Sequence, residues 1–76
     1  MTGPPTIRAE HAAAIRAVNA RFAALPAEVQ ASIRIGHDSL EDEVNAAIVA
    51  GDRPRAEAAI RAWKQHWLAE FERAAR

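Results

Sequence analysis

Two histidines and two glutamates stand at the spacing that ligand chemistry would use. His37 precedes Glu41 by four residues in "HDSLE", and His66 precedes Glu70 by four in "HWLAE". Residues four apart share a helix face, so an imidazole and a carboxylate can reach one ion together. Two such pairs would make a four-ligand nitrogen and oxygen set suited to zinc or another divalent metal. Antiparallel helices would, however, carry Glu41 and Glu70 to opposite ends of the pair. The chain also has no His-x-x-x-His, no Glu-x-x-His and no cysteine. Rim histidines beside salt-bridging glutamates are the simpler reading. No metal is expected, and His37, Glu41, His66 and Glu70 are the candidate ligands.

Ser39 is the next candidate. The run "GHDSL" (36–40) resembles the attachment site of acyl and peptidyl carrier proteins. In that family an Asp-Ser-Leu at a helix start holds the serine that takes phosphopantetheine. The resemblance implies that Ser39 would be that serine, and the length of the chain agrees with it. It covers five residues. The family's later helices and loop have no counterpart after Leu40, and its acidic character is absent. A helical pattern replaces the long connection that normally precedes the serine. The expected cofactor is therefore none, with Ser39 the candidate attachment point. His11 falls on an apolar stripe, with no orienting carboxylate or nucleophile implied by spacing. It reads as a partly buried histidine bonded locally or resting on an indole, and no catalytic residue is assigned.

The elements that must position these residues are three. Alanine supplies 20 of the 76 residues and arginine nine of the ten basic ones, a composition that favours helix. "GPPT" is a non-helical lead, with residues 1–6 expected to be flexible and Thr6 to cap the first helix. Pro26 suits the first turn of a second helix. Gly51, Asp52 and Pro54 supply a C-terminal glycine, an N-cap and a first-turn proline between the second and third. The spacing predicts helices near 7–24, 27–50 and 53–75, in one compact antiparallel three-helix bundle spanning 1–76.

The apolar stripes are Ile7, His11, Ile15, Val18 and Phe22; then Val29, Ile33, Gly36, Leu40, Val44 and Ile48; then Ala56, Ile60, Trp63, Trp67, Phe71 and Ala74. Folded about two short turns, they stack in layers. His11 meets Leu40 and Trp63, Ile15 meets Gly36 and Trp67, and Phe22 meets Val29 and Ala74. Ile33 and Leu40 keep phase across Gly36, which favours one continuous helix kinked there. The alternative takes Gly36 as a stop and "DSLE" as a capping box that starts a fresh helix at Asp38. Helices one and three also echo each other, "AAIRAVNARF" against "AAIRAWKQHW", 45 residues apart.

Ten acidic and ten basic side chains cancel and are interspersed, so no basic face for nucleic acid is expected. No run resembles a signal peptide or a membrane span, and the expected setting is the cytoplasm. The alanine and arginine bias suits a GC-rich bacterial or phage genome. Ile35, Val49 and Leu68 lie off the stripes and would form a small patch for a partner or a second copy. Trp63, Trp67 and Phe71 are aromatic anchors on one helix if helix 1 packs poorly over them. Together these point to a non-enzymatic, protein-binding helical module, a regulator, adaptor or inhibitor able to self-associate. The expected partner-binding residues are Ile35, Val49, Trp63, Trp67 and Leu68.

Overall fold

The computed structural model describes residues 6–33 and 39–76. They are all-α, in four helices: α1 (Ile7–Ala23), α2 (Ala27–Ser32), α3 (Ser39–Ala50) and α4 (Arg53–Ala74). The starts and stops follow local chemistry. Thr6 caps α1, its hydroxyl accepting from the Ala9 amide at 3.1 Å. Asp52 caps α4, accepting from the Arg55 amide at 3.2 Å, and Pro54 sits in the first turn, where an N–H is not needed. Between α3 and α4 the chain reverses at Gly51, which has φ +71. The Gly51 amide donates to the Ile48 carbonyl and the Asp52 amide to the Ala47 carbonyl, each at 3.1 Å. This is a Schellman closure, and its left-handed residue is the glycine.

The second predicted helix, 27–50, is two helices. At Ile33 the backbone is extended, with φ −97 and ψ 125, and α2 ends after Ser32. A helical stripe records phase, not continuity. Ile33 and Leu40 stay seven residues apart whether or not the turns between them are helical. The count of three helices is corrected to four by this break. Gly36 and the kink proposed there, the Asp38 start, Ile35, His37 and the lead before Thr6 lie outside the described residues.

The helix–helix interfaces run along α4, which packs against α3 on one flank and α1 on the other. The tight turn makes α3 antiparallel to α4. Arg55 clasps Glu43 across that interface through two bonds, Nε to Oε2 at 2.6 Å and Nη2 to Oε1 at 2.8 Å. The Arg55 hydrogen bond holds the Glu43 carboxyl below its ordinary range, and Glu43 raises the Arg55 guanidinium in return. Against α1, Arg53 bonds Glu10 at 2.9 Å, His11 meets Trp63, and Phe22 meets Phe71. These three contacts run in the same order along both helices, so α1 and α4 are parallel.

Because α4 serves two neighbours, it buries a wide arc: Ala56, Ala59, Ile60, Trp63, Trp67 and Phe71. The flanking helices each bury a narrow one, Ala14 and Val18 on α1 and Val44 and Ala47 on α3. Buried alanines let the backbones approach, while Trp63, Trp67 and Phe71 supply most of the apolar bulk. The narrow arc corrects the stripe of helix 1. Ala14 is buried in place of Ile15, and Ile15 is 37% exposed. The echo between α1 and α4 fails at this point, because Ile15 aligns with the buried Ile60.

Gln30 ties α2 to the end of α1. Its side-chain amide donates toward the carbonyls of Phe22 and Leu25 at 3.0 Å and of Ala23 at 3.3 Å. Phe22 and Ala23 end α1 and Leu25 follows its cap, and the Phe22 carbonyl also accepts from the Leu25 amide at 3.1 Å.

Candidate functional site

Between α1 and α4 lies a cleft. Ile15, Val18, Asn19 and Phe22 form its α1 side, Trp63, Trp67 and Phe71 its α4 side, and Glu41 of α3 also borders it. The volume is about 150 Å³. The aromatic wall is held in place by ring contacts. Phe22 lies 5.7 Å from Phe71, Phe71 6.0 Å from Trp67, and the His11 imidazole meets Trp63 edge-on at 6.1 Å. Offset and edge contacts of this kind are the favourable arrangements for aromatic pairs. Ile15 stands at the rim with a third of its surface in solvent. An apolar space of this size holds a group about as large as benzene. The cleft can therefore seat one apolar side chain or ring, and it holds no acid–base or nucleophile arrangement.

A second depression, about 490 Å³, shares Trp67 with the first. Ser32 and Ile33 form one wall, and His66, Trp67, Glu70, Arg73 and Ala74 the other. Here His66 and Glu70 share a face one turn apart, as their spacing predicts. His66 is exposed, with its ring 5.4 Å from Trp67, and Glu70 accepts from Arg73. Glu41 borders the first cleft, so it and the His66–Glu70 pair line different spaces. Among the described residues, no three histidine, aspartate or glutamate side chains come together as a metal ion would need.

Ser39 is exposed and is the first residue of α3. His11 is half-buried against the Trp63 indole, which is the bland account given to it from sequence. Of the residues expected to bind a partner, Trp63 and Trp67 are each 8% exposed and lie inside the core at the floor of the cleft. Leu68 is half-buried and packs against that core, so it widens the α4 face. Val49 points away from α4 and is 83% exposed.

Ile15, Val18, Asn19 and Phe22 are the lining residues that sequence reasoning left out of the site. Ile15 and Phe22 look like core on a helical wheel. The clue was architectural: a helix with one neighbour cannot bury five stripe positions.

No protein-family model, curated protein or solved structure matches the chain. Among the described residues, no helix is long and apolar enough to cross a membrane.

Proposed function

We propose that this chain is a non-enzymatic helical interaction module, a regulator, adaptor or inhibitor that docks on another protein. The docking site is the α1–α4 cleft, and the partner inserts an apolar side chain over Trp63 and Trp67. The observation that carries this reading is the exposed Ile15 at the rim of an open aromatic cleft. Anchor residues that enter such pockets commonly dominate the energy of an interface. Self-association belongs to the same reading, since a core built so largely on alanine gains from burying more surface. The proposed setting is the cytoplasm of a bacterium, or of a bacterium carrying a phage or plasmid.

The test is affinity capture from the native host with the wild-type chain, Ile15→Glu and Val49→Glu in parallel. A protein retained by wild type and Val49→Glu but lost with Ile15→Glu supports docking at the cleft. The same proteins retained by all three chains would refute it.

One observation favours a second reading. Ser39 is the first described residue of α3 and faces solvent, as the carrier resemblance would require of the serine. Intact mass after co-expression with a phosphopantetheinyl transferase decides it. A mass increase absent from Ser39→Ala would support a carrier, and an unchanged mass removes that reading.

A further inference from the structure

We infer that α2 is a latch that opens on its own while α1, α3 and α4 stay folded, and that its release bares Trp67. The inference rests on the docking reading for its purpose, since Trp67 also floors the docking cleft, but the opening stands on separate observations.

α2 has six residues, too few to be helical without outside support. None of them is buried, and the main helix–helix interfaces lie elsewhere, along α4. What holds this segment among the described contacts is small. The Gln30 amide has two N–H groups to share among three carbonyls. Val29 and Ile33 are half-buried, and Ile33 touches the core at the point where the backbone has already left the helix. The Ser32 hydroxyl turns back to the Val29 carbonyl of its own helix and adds no tie to the rest of the molecule. Segments with few buried contacts open at a small fraction of the global unfolding free energy.

The consequence follows from where α2 ends. Ser32 and Ile33 are the wall facing His66, Trp67, Glu70 and Arg73 across the larger depression. Removing that wall opens Trp67 from the larger depression, which shares this one residue with the docking cleft. A partner reaching the indole from both spaces would then bind the open form better and shift the population toward it.

Native-state hydrogen exchange by NMR on the full chain tests this without any partner. The amides of Val29, Gln30 and Ile33 should exchange at rates insensitive to low urea, while those of Trp63 and Trp67 should accelerate with it. Gln30→Ala should raise the α2 rates by about twofold to tenfold, the loss expected from one net hydrogen bond, and leave the α4 rates unchanged. Gln30→Glu, which keeps the shape but offers carboxylate oxygens to those carbonyls, should do at least as much. In both variants a soluble nitroxide should broaden the Trp67 indole resonances more than in wild type. The latch is overturned if α2 amides share the urea dependence of α4. It is equally overturned if neither variant changes Trp67 broadening. Either failure would leave docking at Ile15 standing, because capture reads that separately.

Discussion

Gly51 and Glu43 show how single residues set the α3–α4 hairpin. A Cβ at Gly51 would meet nothing within 4 Å, so the sole obstacle to alanine there is the backbone, at φ +71. Gly51→Ala should therefore cost about 1 kcal/mol, the penalty of a left-handed L-residue, seen as a lower urea midpoint with unchanged slope. A cost near zero would contradict the left-handed turn. The Glu43–Arg55 clasp gives a pH signature. Because the folded Glu43 pKa lies below its unfolded value, the unfolded chain takes the proton first as pH falls. Stability from the pair is complete above the ordinary carboxylate range and is lost as pH drops through the folded value. The gap in urea midpoint between wild type and Glu43→Gln should narrow from pH 7 to about pH 3, and a constant gap would count against it. Both residues lie on exposed turns and faces, where short-range chemistry decides. Gly51, Asp52 and Pro54 were legible from sequence for that reason.

The helices were legible in unequal measure. The starts of α1 and α4 follow from Thr6, Asp52 and Pro54, and the α4 stripe is buried from Ala56 to Phe71, with Ala59 added and Ala74 only half-buried. The break after Ser32 was not legible from the stripe, because periodicity in the sequence is blind to an extended backbone at Ile33. The capping-box alternative around "DSLE" turns on Asp38, which lies outside the described residues. The pairing of His11 with Trp63 was also legible, whereas Phe22 reaches Phe71, one layer from its expected level. The different arcs of α1 and α4 make a paired prediction. Trp67→Ala empties the centre of the core and should cost about 3–5 kcal/mol. Against the roughly 4–11 kcal/mol expected of a chain this long, that is a large share. Ile15→Ala, at the rim, should cost under about 1 kcal/mol. Thermal unfolding of both variants checks the contrast, and equal losses would mean that Ile15 is core after all.

At the scale of the whole molecule, α4 is a keel with one helix on each flank, and the described residues extend 41 × 30 × 15 Å. The aromatic face of α4 is buried between its neighbours, and Ile15 of α1 stands exposed at the rim beside it. None of this was visible in the sequence, where three stripes of similar length suggest helices that each bury against two others. Self-association should appear as a mass that rises with concentration in light scattering, and a strictly monomeric mass at high concentration would remove it. The most direct test of the docking cleft needs no natural partner. Titrating the protein with a small aromatic alcohol, and following methyl and indole resonances by NMR, asks whether the space accepts an apolar ring. The account predicts saturable shifts centred on Ile15, Val18 and the two indoles, abolished in Ile15→Glu. Shifts centred on Val49, or no saturable shifts at all, would contradict it.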